Sequence, residues 1–227
     1  MATQDPDPVP DAMVVPANAL VVLLGPPGSG KSTFARRRFR DTEVVSSDGC
    51  RRLVSDDEAD QSATPQAFAV FHAILEGRLS LGRLAVADAT NVTPRSREGL
   101  REVAARYGAP VVVLVMDAPL ERCLGQNLLR ARRVAPEVIE MHYRQYEEAR
   151  GALEAEGYHA VHLVGPETAV ALGPPVRRPP PALPSPSAPG PAGDPAPSPP
   201  DDAATPRRRV GVLRARTRRA PGPRGQP

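Results

Sequence analysis

Residues 19–33 read Ala-Leu-Val-Val-Leu-Leu-Gly-Pro-Pro-Gly-Ser-Gly-Lys-Ser-Thr. The first six are a continuous apolar run, as expected of a parallel strand buried on both faces. Gly25 to Ser32 then matches G-x-x-x-x-G-K-[ST] in full, with Thr33 following and a short Arg-rich helix expected over 32–39. A strand before the motif and a helix after it are the context a phosphate-binding loop requires. Gly25, Gly28 and Gly30 let successive backbone N–H groups curl round a phosphate without a Cβ clash, with Pro26, Pro27 and Ser29 filling the turn. The helix N-terminus adds partial positive charge. Lys31 reaches the β/γ-phosphates, and Ser32 offers a hydroxyl to Mg²⁺. The stretch predicts a nucleoside triphosphate site, with ATP and Mg²⁺ as the expected ligands. It leaves the acceptor of any transferred phosphate open.

The lysine in this motif is singular. Of 29 basic residues in the 227-residue chain, 28 are arginine and one is Lys31. A composition that uses arginine everywhere else has kept lysine at the one position where a compact ammonium must enter a phosphate cradle.

Outward from the motif, strand-like runs alternate with helix signals. Strands are expected over 42–47, 84–87, 110–116 and 159–164. Thr64-Pro65 and Thr93-Pro94 place an N-cap residue before proline at the first helical position. Pro119 and Pro136 play the same part, predicting helices over 65–80, 94–107, 119–131 and 136–157. Ser55 with Glu58 fits a capping box, and Asp56-Asp57-Glu58 reads as an acidic first turn. The alternation implies an α/β P-loop NTPase fold: a parallel sheet with helices on both faces. Its domain is expected over 18–172, after a flexible leader at 1–17 and before a disordered Pro/Arg-rich tail at 173–227. Of 29 prolines, 17 fall in that tail, which contains no aromatic residue. Such a segment cannot bury enough apolar surface to offset its chain entropy.

Charge and cysteine content exclude several classes. The net charge of +3 divides into +7 from residue 173 onward and −4 before it. The basic character therefore belongs to the tail, and the folded part offers no global argument for nucleic acid. Seven arginines at 207–219 could bind phosphates, but without interleaved aromatics they read as a solvated extension. Cys50 and Cys123 are too few for a disulfide scaffold or a structural zinc site. No apolar run approaches a membrane span, and the acidic, proline-bearing start is unlike a signal peptide. The expected compartment is the cytoplasm. His72, His142, His159 and His162 are scattered and read as structural.

Candidate acceptor-side residues sit at strand ends, where chemistry collects in such sheets. Asp48 follows the second strand and would either accept a proton from an attacking hydroxyl or cap a helix. Arg51, three residues on, would share its side of a short helix and could hold an acceptor phosphate. Asp88 ends an apolar strand, where a carboxylate either supports the Mg²⁺ shell or caps the strand end. Arg130, Arg132 and Arg133 cluster at a helix–helix junction, where arginines either close over the nucleotide or form a solvated helix end that the dipole favours.

These segments together carry a family resemblance. Residues 25–35 (GPPGSGKSTFA), 43–61 (EVVSSDGCRRLVSDDEADQ), 81–92 (LGRLAVADATNV) and 126–134 (QNLLRARRV) resemble the N-terminal 5′-kinase domain of the bacterial polynucleotide kinase–phosphatase–ligase RNA repair enzyme. More distantly they resemble the phage polynucleotide kinase. The resemblance covers about residues 18–165. It implies an arginine-bearing helical lid and transfer of the γ-phosphate of ATP to a 5′-OH end of RNA or DNA. It also implies Asp48 as general base, Arg51 on the acceptor phosphate, and Arg130 and Arg133 as lid cations. It further implies repair partners that supply phosphatase and ligase steps from separate chains. Leu128 and Leu129 depart from it by being apolar in the lid. Two other classes share the nucleotide residues: a kinase of a small molecule or other hydroxyl, and an ATP-binding switch that transfers nothing.

Overall fold

The computed structural model describes residues 12–129 and 133–176. The leader before residue 12, Arg130, Arg132 and the tail from 177 onward lie outside the described residues. The apolar run of the motif becomes β2 (Leu20–Leu24), buried at every position. It pairs in parallel with β4 (Ala85–Asp88) on one side and β5 (Val111–Met116) on the other, with Leu20 opposite both Ala85 and Val111. β3 (Val44–Ser46) flanks β4 and β6 (Ala160–Val164) flanks β5, giving the order β3-β4-β2-β5-β6.

The twofold period of β2 sends alternate side chains to opposite layers. Leu20, Val22 and Leu24 join Phe71, Leu75, Leu100 and Tyr146, from helices α3 (Thr64–Ser80), α4 (Pro94–Arg106) and α6 (Pro136–Ala152). Val21 and Leu23 join Phe34 and Ala35 of α1 (Lys31–Arg38). A strand covered on both faces must be apolar throughout, which is why ALVVLL carries no alternation.

Three expectations need correction. Ser55–Glu58 starts no helix. Ser55 ends α2 (Ser47–Ser55), its hydroxyl donating to the Arg51 carbonyl, and Asp56 turns the chain in the left-handed region at φ 59°. The helix start lies nine residues before Ser55, where the Ser46 hydroxyl accepts from the Gly49 N–H at 3.3 Å. The downstream acids instead tie turns: Asp57 accepts from the Ala59 N–H, and Asp60 caps the short 3₁₀ turn Gln61–Ala63. Second, Met13–Pro16, read as flexible leader, is a strand (β1) paired in parallel with β7 (Val170–Gly173). Asn18 fastens this pair, donating to the Val176 carbonyl at 2.9 Å and accepting from its N–H at 3.0 Å. The ordered body therefore extends past both expected boundaries. Third, the helices either side of the lid junction are shorter than expected. α5 covers Leu120–Leu128, and α6 gives way at Leu153 to a 3₁₀ turn.

Candidate active site

The loop between β2 and α1 is held by its own backbone. The Ser29 N–H donates to the Pro26 carbonyl, and the Gly25 N–H donates to the Thr90 carbonyl from the neighbouring strand end. Gly30 precedes α1 at φ 93° and offers no side-chain cap, so the first N–H groups of the helix stay available to an anion. Gly28 has φ 85°, and a Cβ there would collide with the Cys123 carbonyl of α5. Gly30 has open space around the same position. Gly28→Ala should therefore weaken ATP binding well beyond Gly30→Ala, for which the left-handed strain alone costs about 1–2 kcal/mol, or roughly tenfold. Calorimetric titration of both variants with ATP checks the order; equal losses would mean that the Cys123 contact is easily relieved.

Lys31 is 8% exposed. Its Nζ donates to the Gly25 carbonyl at 2.7 Å, the Pro26 carbonyl at 2.8 Å and the Ser29 hydroxyl at 3.4 Å. Asp88, at the end of β4, is 4% exposed and lies opposite Ser46 in the strand register. Burial pushes its carboxyl above the usual range, and the Asp48 charge adds to this; a hydrogen bond from Ser32 and the Lys31 charge pull the other way. Asp48, Asp88, Ser32 and Lys31 thus converge at the C-terminal edge of the sheet. β3 is not adjacent to β2. β4 lies between them, and Asp48 reaches the phosphate loop by way of Asp88.

Asp48 is 65% exposed at its side chain and is gripped by Arg51, whose Nη1 donates to its Oδ1 at 2.7 Å. The same Nη1 donates to the Glu58 carbonyl at 2.9 Å. Arg51 is only 7% exposed at its side chain, so it holds the carboxylate and the following turn rather than reaching into solvent. Among the predicted lid residues, Arg133 is exposed and Arg130 lies outside the described residues. Asn127 brackets the junction. Its amide donates to the Val134 carbonyl at 2.8 Å and accepts from the Val134 N–H at 2.9 Å.

Two features escaped the motif reading. His142 of α6 stands near Lys31; burial first, then the Lys31 charge, holds its imidazole below the usual range. A cavity of about 160 Å³ runs from Gly28 and Gly30 past Arg37, Asp117, Arg122 and Gln126. It lies on the β5 side of the loop, away from Asp48. Neither Arg37 nor Arg122 had a local signal, since arginine is common along the whole chain.

The oxygen donors here suit Mg²⁺. Ser32 and Asp88 supply a hydroxyl and a carboxylate already joined by a hydrogen bond. Among the described residues no group of three or more His, Cys, Asp or Glu converges to cage a metal. Mg²⁺ ordinarily takes one or two protein oxygens and completes its shell with phosphates and water.

The model of the AAA domain family matches residues 20–153, more than half of the chain. The chain belongs to the AAA domain family. No curated protein matches it. Similar solved structures include a chain of a Pnkp1/Rnl/Hen1 complex, at 27% identity over 52% of this chain and 40% of that one, with a TM-score of 0.43. They include an AvrRxo1-ORF1:AvrRxo1-ORF2 structure with ATP, at 17% identity over 65% and 54%, TM-score 0.50. Chaetomium thermophilum Kti12 in complex with ADP-AlF3 is similar at 18% identity over 64% and 88%, TM-score 0.46. This chain thus spans about half or less of the first two. The fold is that of the P-loop kinases. Among the described residues no helix is long and apolar enough to cross a membrane.

Proposed function

We propose that this AAA-domain chain is an ATP-dependent phosphotransferase that moves the γ-phosphate to the 5′-OH end of an RNA or DNA strand. The observation carrying this reading is the placement of Asp48. An exposed carboxylate, held by Arg51, stands at the sheet edge beside the buried Asp88 and the phosphate loop. The segment around it is also the most specific part of the polynucleotide kinase resemblance.

In the proposed reaction the 5′ oxygen attacks the γ-phosphorus as the bond to the bridging β,γ oxygen breaks and ADP departs. The hydroxyl proton passes to Asp48. Arg51 fixes the direction of that carboxylate, and a phosphate on the acceptor beside Asp48 would meet the same guanidinium. Bound Mg²⁺, held by Ser32 with Asp88 behind it, would offset charge on the β- and γ-oxygens. Lys31 and the loop amides hold the phosphates, and Arg130 and Arg133 would approach from the lid. Catalysis of this kind depends on positioning and electrostatics more than on covalent chemistry.

The test is transfer of labelled γ-phosphate from ATP to a 5′-OH oligoribonucleotide and its DNA counterpart. Asp48→Asn should lower kcat by about 10²–10⁴-fold, the usual worth of a positioned base, with ATP affinity nearly unchanged. Wild-type rates in that variant would remove Asp48 from the role. Transfer to sugars or metabolites but to no oligonucleotide would replace the acceptor class.

A further inference from the structure

A groove of about 660 Å³ opens between α3 and α4, on the β3–β4 side of the sheet. Its volume falls within the range of sites for small organic groups. The first turns of both helices stand at the same sheet edge as the phosphate loop, because α3 leads into β4 and α4 follows it. The groove also touches Asn91, three residues beyond Asp88, and lies on the acceptor side of the site. The cavity beside Gly28 lies on the opposite, β5 side.

Its walls are aromatic. Phe68 and Phe71 meet edge to face with ring centroids 5.6 Å apart, and the His72 ring lies 5.6 Å from Phe71 and 6.3 Å from Phe68. Polar side chains share the lining with these rings: Thr64, Thr93 and Ser96, beside His72 itself. Burial holds the His72 imidazole below its usual range, which leaves it neutral near pH 7 and able to donate or accept. The exposed Arg95 stands at the rim. Floor space is real: a Cβ built on Gly99 meets no heavy atom within 4 Å.

We propose that this groove seats a nucleobase of the polynucleotide acceptor, against Phe68 and His72, with the polar side chains of the lining at its edge and a flanking phosphate on Arg95. An aliphatic occupant would leave the Arg95 charge unanswered, and a bare phosphate would leave the aromatic wall unused. A planar heterocycle joined to a phosphate satisfies both. The proposal rests on the polynucleotide reading above.

The experiment measures kcat and KM for a 5′-OH oligoribonucleotide with wild type, Phe68→Ala and Gly99→Leu. Gly99→Leu fills the groove from a helix position where leucine is favoured over glycine, so its melting temperature should hold or rise. Both variants should raise the acceptor KM roughly tenfold, the scale of one lost base stack, with ATP KM and kcat within about twofold. A single abasic nucleotide walked along the first four positions should raise the wild-type KM at one position and erase the difference from Phe68→Ala there. Unchanged acceptor KM in both variants, with active wild type, would overturn the groove and leave the polynucleotide reading standing. Wild type that phosphorylates no oligonucleotide would overturn both.

Discussion

Lys31→Ala should cut single-turnover γ-phosphate transfer by at least about 10²–10³-fold, the usual cost of removing one preorganised group aimed at developing charge. The side chain is buried beneath the loop, with its ammonium on the Gly25 and Pro26 carbonyls and the Ser29 hydroxyl. Those same atoms form the turn that must receive the phosphates. Alanine therefore removes the charge and also leaves loop carbonyls without their donor, so ATP affinity should fall as well. Lys31→Arg separates the two effects. A planar guanidinium keeps the charge but is wider than the ammonium, and the tight loop gives it no room to fan out. It should restore little activity, in keeping with a chain that uses arginine at every other basic position. Transfer by Lys31→Ala above a tenth of the wild-type rate would show that the phosphates are held mainly by the backbone.

Arg97→Ala should be the most destabilising substitution away from the nucleotide site. Arg97 is 1% exposed. Its Nε donates to Glu156 Oε2 at 2.9 Å and its Nη2 to Oε1 at 2.5 Å, while Nη1 donates to the carbonyls of Asn91 and Val92 at 3.2 and 2.8 Å. The Tyr158 hydroxyl donates to the same carboxylate at 2.5 Å, and Arg101 donates to the Glu156 carbonyl. One guanidinium thus joins the turn after β4, helix α4 and the 3₁₀ turn that leads into β6. Its removal leaves a largely buried carboxylate and two carbonyls without their donor. That costs about 3–5 kcal/mol, a large share of a domain's total stability. At roughly 2–4 °C per kcal/mol for a body of this size, Tm should fall by about 6–20 °C.

The pH dependence follows from the same pair. The hydrogen bond from Arg97, as the leading cause, holds the Glu156 carboxyl below its usual range. A carboxyl depressed in the folded state contributes stability above its unfolded pKa of about 4.3, and that contribution is lost as pH falls through the folded value. Wild type should therefore lose Tm below about pH 4.5, and Arg97→Ala should lose less over the same interval. Melting curves at pH 7 and pH 4 for both proteins check this. Parallel loss in the two would show that other carboxylates govern acid unfolding.

The phosphate loop was legible because its signal is local. Strand, glycines, lysine and helix fall within about twenty consecutive residues, and each residue type has one mechanical reason to be there. Asp88 was legible for a related reason, since an acid closing an apolar run stands out. The acids at 56–58 misled because an acidic first turn and an acidic post-helix turn have the same composition. Only the left-handed Asp56 and the Ser46 cap distinguish them. The four histidines gave no local sign of place, and His142 proved to stand near Lys31.

By itself the sequence determined the class of fold and the strand, loop and helix around Lys31, since these rest on spacing along one stretch of chain. Tertiary structure alone decided how distant segments meet. It pairs Met13 with Val170, presses Gly28 against the Cys123 carbonyl, sets Arg97 on Glu156, and turns Thr64, His72 and Gly99 toward one groove. Short apolar pieces and single arginines can find many partners of similar local quality. Which partner each one takes is settled by packing the whole sheet and its helices together, and that packing leaves no mark in the neighbouring residues.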